Sequence, residues 1–504
     1  MKAGRRLCLG LVVLLSLPLW AAEPLRFRVT LAPELGTGTV SGRLLVFLQA
    51  GTAAKRPLAP DFLEPQKVWM EAIEVHDLVP GRPLEVAPTL AFPKPFAEAA
   101  PGDYQLMAVL DTRHTFAYSG LGEGGLRSEV ITMKSFNPAA AAPVEFSLSV
   151  RVPGETVGES ETLKLVEMES PRLSRFWGRP VTMKAAVLLP PSYAASPGRK
   201  YPTVYVVHGF EGTHISGALY QAPRLAQEMA AHQRPEMIYV FLDGQCPLGH
   251  HEFADSVNNG PWGESLVREF IPYLEKQFHM DGVARGRLLT GHSSGGWSTL
   301  WLETHYPAVF GGTWSTSPDP PDFRSLTDVD LLAGENLYRK ADGTPRNLVR
   351  YHGRQIMSIE EYVRLEEVEG DYGGQFESFN AVFSPRGDDG RPMPMFDTTT
   401  GAPYPEVVKE WEENYDIDAY LKRNWVRLRP ELRGKLHLWV GAEDNFHLED
   451  GVRLLEQTLE QLGGAEARVT YVPGRDHFDL YRGGLSQEIA RQMYAVARPE
   501  KKKD

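Results

Sequence analysis

The chain has 504 residues, 42% hydrophobic and 23% charged, with 53 Lys and Arg against 65 Asp and Glu for a formal net charge of −12. That length exceeds one ordinary core, so two folded units with decoration are expected, of globular composition. So acidic a chain is a poor match for a nucleic-acid backbone, and two cysteines cannot make a disulfide framework.

The first stretch differs in kind. Lys2, Arg5 and Arg6 precede the apolar run Leu7 to Leu19, and Ala21 and Ala22 follow, the layout of a cleavable signal peptide over residues 1–21. The apolar run is shorter than the roughly 20 residues that span a bilayer. Cys8 precedes most of that run, where a lipidated cysteine would follow it. Arg5-Arg6 fits a twin-arginine exporter as well as the general one. The expectation is an exported protein, periplasmic or secreted, with no membrane association after cleavage. Cleavage removes three positive charges, taking the net charge from −12 to −15. It also leaves Cys246 as the single cysteine. With no motif around it, Cys246 reads as a small buried hydrophobe.

Residues 22–170 read as short strands broken by Pro and Gly. Leu25 to Leu31 alternates apolar and polar, and Val40–Leu48, Val68–Val75, Tyr104–Leu110 and Phe146–Val152 are further strands. Pro80-Gly81 and Pro101-Gly102 mark turns between them. No helical periodicity competes, so a β-sandwich is expected. His76 and His114 are isolated and read as ordinary surface or core histidines.

From residue 175 to 504 the pattern changes. Val181–Leu189, Thr203–Val207, Met237–Leu242 and Leu288–Thr290 are apolar strands alternating with helical segments, which predicts a mostly parallel sheet in an α/β fold. Leu266, Phe270, Leu274 and Phe278 recur every fourth residue and form a packing stripe on a helix from Trp262 to Phe278. Between strands at Gly312–Ser315 and Leu436–Val440 lies a long irregular insertion, about 318–433, which predicts a lid or binding wall. No internal repeat is evident.

The chemistry concentrates at Gly291-His292-Ser293-Ser294-Gly295-Gly296, between the strand ending at Thr290 and a helix from Trp297 to His305. This is the G-x-S-x-G nucleophile elbow in its strand-then-helix context, with Ser293 the nucleophile. Gly291 and Gly295 fit because a Cβ there would collide with neighbouring backbone. A serine hydroxyl needs a base held by a third group, and in this architecture acid and base follow the nucleophile in that order. Asp444 follows the strand Leu436–Val440, with Glu443 the rival acid. His477 lies after the strand Ala467–Val472 and is the expected base, with His447, three residues from Asp444, its rival. The oxyanion hole is expected from the amides of Ser294 and of Phe210, in the loop His208-Gly209-Phe210-Glu211-Gly212. His208 and His214 lack the companions of a metal set, and no motif calls for a metal or organic cofactor.

From Val181 onward the chain resembles the esterase family that includes enterochelin esterases, S-formylglutathione hydrolase, feruloyl esterases and mycolyltransferases. The matching stretches are Leu188 to Tyr193, Tyr201 to Gly209, Asp255 to Trp262, Gly291 to Gly296 and Pro473 to His477. The resemblance implies an α/β-hydrolase fold and a Ser-Asp-His triad on Ser293, Asp444 and His477. A β-sandwich ahead of the hydrolase looks like the enterochelin esterase arrangement. The implied partner is a small-molecule ester, siderophore-like, phenolic or a sugar ester, cleaved through an acyl-enzyme. The insertion is longer than in compact relatives, so pocket shape does not transfer. His250, His251 and Trp262 would lie on a loop near the substrate or on the surface. The alternatives are acyl transfer by the same triad and a binding protein on a hydrolase scaffold. The sequence leaves the oligomeric state open.

Overall fold

Alternating strand patterns in the first third fold into two sheets. The structure, a computed structural model, describes residues 25–53, 57–61, 63–113, 120–370, 374–463 and 466–499. The expected signal peptide and His114 lie outside these residues. Phe27–Leu31 pairs with Leu84–Val86 and Val144–Leu148 in a three-stranded sheet, and Val40–Ala50 sits inside a seven-stranded one between Gly102–Asp111 and Val68–Leu78. Phe27, Val29, Leu31, Phe146 and Leu148 from the first sheet meet Leu44, Val46, Leu48, Leu106, Ala108 and Leu110 from the second in one core.

The second half is built on one eight-stranded sheet. Its strands are β1 (Leu163–Glu169), β2 (Thr182–Leu188), β3 (Thr203–Val207), β4 (Ile238–Leu242), β5 (Arg287–Ser293), β6 (Gly312–Pro318), β7 (Leu436–Gly441) and β8 (Arg468–Val472). They lie in the order β1-β2-β4-β3-β5-β6-β7-β8. β1, β2 and β4 pair antiparallel, and from β4 through β3 to β8 every pairing is parallel. β3 and β4 are buried along their whole length, as central strands covered on both faces must be. This is the α/β-hydrolase fold, and its site belongs at the carboxyl ends of the parallel strands. The expected division near residue 170 falls one strand late, because Leu163–Glu169 pairs with β2 and thus belongs to this sheet.

The helices used below are α1 (Ser294–His305), α2 (Ile359–Glu369), α3 (Gln375–Phe383), α4 (Pro405–Asn414), α5 (Ile417–Leu432), α6 (Leu448–Gln461) and α7 (Leu485–Ala497). Four of them, α2 to α5, lie in the insertion, which is therefore partly helical rather than wholly irregular. A capping box at Ser358 and Glu361 starts α2, and the Asp416 side chain caps α5 by accepting from Ala419 N–H. Helix α5 crosses over from β6 toward β7 and packs on α1, while α2 lies against the sandwich strands Val68–Leu78 and Leu90–Phe92.

Candidate active site

Strand β5 ends in a turn that only small neighbours permit. Ser293 has φ 59° and ψ −127°, a strained conformation for a residue with a side chain. A Cβ on Gly291 would lie 2.0 Å from the Gly295 carbonyl oxygen, and one on Gly295 would lie 2.1 Å from that of Val207. The two glycines thus let three pieces of backbone pass at contact distance. Ser294 begins α1, so its amide is among the helix N–H groups without an intrahelical acceptor.

Asp444 and His477 come from the loops after β7 and β8. Both are buried, and the His477 Nδ1–H donates to Asp444 Oδ2 at 3.0 Å. Asn445 Oδ1 accepts from the His477 backbone N–H at 3.0 Å, which fixes the loop. Burial alone would push the Asp444 carboxyl up, but the facing His477 and the Phe446 amide outweigh it and hold it below the ordinary range. Burial pulls His477 down, and the Asp444 carboxylate more than compensates, so the imidazole ends above its usual value.

The rivals stand elsewhere. Glu443 is exposed, and His447 precedes α6 with its Nε2 3.2 Å from the Asn347 side chain. His208 stacks on Phe241 with ring centres 6.1 Å apart, and His214 Nδ1 faces Asp243 Oδ2 at 2.9 Å. His250 and His251 are fully buried rather than on the surface, and His251 stacks on the buried Trp262 at 3.8 Å. None of these three lines the cavity described next. Burial pushes the Cys246 thiol up to about 12, which leaves little thiolate to act as a nucleophile.

Ser293 and His477 open into a cavity of about 460 Å³. Phe210 lines it, from the loop after β3, and a Cβ on the adjacent Gly209 would come within 3.2 Å of the Ser293 Cβ. The walls are Leu326, Leu348, Tyr362, Phe376 and Phe379 from the insertion, with Phe446, Leu448 and Phe478 from the loops beside Asp444 and His477. The insertion is thus a wall of the pocket. Behind the nucleophile, Thr316 Oγ1 lies 3.1 Å from His292 Nδ1 and 2.7 Å from the Tyr481 hydroxyl. Burial, then the neighbouring His477, lowers His292 to about 3, so it stays neutral and leaves the titration to His477.

Three residues at the site were not expected from sequence: Asp319, Gln375 and Tyr481. The Ser293 hydroxyl donates to Asp319 Oδ1 at 3.4 Å, the Ser294 hydroxyl to Oδ2 at 2.6 Å, and the Gln375 amide to Oδ2 at 3.4 Å. The only signal available was position, since Asp319 directly follows a strand neighbouring the elbow strand. A separate group, Asp322, Asp416 and Asp418, is buried where the first residues of the insertion meet the start of α5. Arg324 meets Asp322 and lies 3.7 Å from Asp418, and Lys422 also meets Asp418, so side chains answer the charges of these two, while Asp416 accepts from the backbone N–H groups of Phe323 and Ala419.

Residues 180–359 match the sequence model of the family described as "Putative esterase", the family the motifs resemble. No curated protein matches the chain. Among solved structures, a ferulic acid esterase is 15% identical with a TM-score of 0.42, covering 66% of this chain and 99% of its own. The S-formylglutathione hydrolase of Staphylococcus aureus is 13% identical with a TM-score of 0.39, covering 66% and 99%. A CE1 ferulic acid esterase from the anaerobic fungus Anaeromyces mucronatus is 16% identical with a TM-score of 0.36, covering 68% and 97%.

Proposed function

We propose, from the premise that the esterase-family match over residues 180–359 makes this chain a carboxylic ester hydrolase, that it is a serine esterase working through an acyl-enzyme on Ser293. The observation that carries the reading is the 3.0 Å bond between His477 and Asp444 in the loops beside a strained serine elbow. His477 takes the Ser293 proton as the oxygen attacks the ester carbonyl, then hands it to the departing alcohol. Water, deprotonated by the same imidazole, releases the acid and restores Ser293. Asp444 holds the ring in the tautomer that leaves Nε2 free to accept, and stabilises the imidazolium. The amides of Ser294 and Phe210 are the proposed donors to the oxyanion.

The apolar walls of the cavity favour small-molecule esters with an apolar or aromatic part over polymers of charged sugars. Siderophore-like, phenolic and sugar esters remain the classes suggested by the family. No helix among the described residues is long and apolar enough to cross a membrane; export by a leader over residues 1–21 is part of the proposal. Acyl transfer to an added alcohol is the second outcome of the same chemistry, read as a new ester among the products. Hydrolysis of p-nitrophenyl butyrate that disappears in Ser293→Ala supports the reading. Hydrolysis that persists in the folded variant assigns the activity elsewhere.

A further inference from the structure

Sheet register fixes an acidic side chain against the nucleophile. Ser293 is paired with Pro318 across β5 and β6, and the next residue, Asp319, donates its backbone N–H to the Ser293 carbonyl at 3.2 Å. Its carboxylate lines the cavity and is 5% exposed. Among the described residues the donors that reach it are the hydroxyls of Ser293 and Ser294 and the amide of Gln375, all of them neutral.

The nearby histidines are engaged elsewhere. His477 faces Asp444 at 3.0 Å and His250 faces Glu252 at 3.4 Å. Among the described residues no Lys or Arg lines the cavity, whereas Glu211 adds a second acid to its wall. A buried carboxylate without a cation is costly in its ionised form. Burial first and the Glu252 carboxylate second push Asp319 up to about 7, against the pull of Ser294, His477 and His250. Near neutrality the group therefore exchanges a proton readily, and a cation brought by a ligand would take that proton's place.

Distance says where the cation belongs on the substrate. An attacked acyl carbon approaches the serine oxygen to about 3–3.5 Å, and a substituent on the adjacent carbon is two bonds further on. A carboxylate oxygen 3.4 Å from the same Ser293 oxygen meets a group at that position, while a cation on a longer tether would pass into the apolar walls of Tyr362, Phe376 and Phe379.

We propose that Asp319, with the Gln375 amide beside it, is the recognition site for a protonated amine on the carbon next to the scissile carbonyl, so that the preferred substrates are α-aminoacyl esters. The proposal rests on Ser293 as the nucleophile. The ammonium is bound and unchanged by the reaction, and the remainder of the acyl group lies along the aromatic wall.

The test compares kcat/KM for the p-nitrophenyl ester of alanine with that of isobutyric acid, in which a methyl group replaces the ammonium. Each value is divided by the spontaneous hydrolysis rate of its ester, which removes the inductive effect of the charge. The expected normalised ratio is about tenfold or more in favour of the amino ester, as a charge-assisted hydrogen bond gives, and it falls toward one in Asp319→Asn. A wild-type ratio of one or less overturns the proposal while leaving the esterase standing on its isobutyrate activity. A ratio that persists in folded Asp319→Asn overturns the assignment to Asp319. Hydrolysis of neither ester overturns the esterase reading and the proposal with it. Should Asp319→Asn not fold, inhibition of wild-type isobutyrate hydrolysis by alaninamide against isobutyramide decides: stronger inhibition by the amine supports the site, equal inhibition overturns it.

Discussion

Ser293, Asp444 and His477 lie 151 and 33 positions apart in sequence, yet each stands at or just after the end of a strand of one sheet. Motif and chain order are what single them out as the proposed triad. Asp444→Asn is expected to lower kcat/KM by several powers of ten, whereas the exposed Glu443→Gln leaves it nearly unchanged. Steady-state kinetics on p-nitrophenyl butyrate separates the two, and a severe Glu443→Gln would contradict the geometry. The pH profile carries the same information. His477 must be neutral to accept the serine proton, and its affinity for a proton is raised in the folded protein. Activity should therefore fall as pH drops through a value above 6.5. In Asp444→Asn the burial of His477 loses its counterweight, so the limb of any residual activity should move to lower pH. Asp319 escaped the reading of the sequence because an aspartate after a strand is common and nothing in its neighbours marks it; only the sheet register brings it to Ser293.

At the scale of elements, the sharpest constraint is the crossing of the elbow with β3. Gly295→Ala would put a methyl 2.1 Å from the Val207 carbonyl oxygen. The expected result is a loss of about 1–3 kcal/mol in stability by chemical denaturation, together with loss of activity as Ser293 is displaced. A variant of unchanged stability and turnover would contradict the geometry. Strands were the most legible elements, since β3 and β7 are apolar runs of unmistakable length. The insertion helices were not. In α3, seven of nine residues are buried, the polar Ser378 and Asn380 among them, so polarity along its sequence does not mark an exposed face. In α5, Leu421, Trp425, Leu428 and Leu432 do follow the period, but Pro430 sits inside the helix and argues against one.

Across the whole molecule, the sandwich and the hydrolase share a core. One face of Val40–Ala50 buries Leu44, Val46 and Leu48 inside the sandwich, and the other buries Leu45 and Phe47 in the core that includes the insertion. Seven consecutive buried residues result, where a lone sandwich strand would alternate. Arg43 extends this seam, donating to the carbonyls of Val368 and Glu367 at the end of α2. Phe47→Ala should cost about 3–5 kcal/mol and, because α2 carries the cavity residue Tyr362, raise KM more than it lowers kcat. An unaltered KM in the folded variant would mean that the sandwich does not brace the pocket. The sequence could not disclose this seam, since one strand's pattern does not say what covers its second face.

The most direct test is hydrolysis of p-nitrophenyl acetate and butyrate by the protein without residues 1–21, beside its Ser293→Ala variant, with the folding of both checked by circular dichroism. The account predicts clear turnover by the first and a loss of several powers of ten in the folded second. Equal activity in the two, or none in the folded wild type, would contradict it.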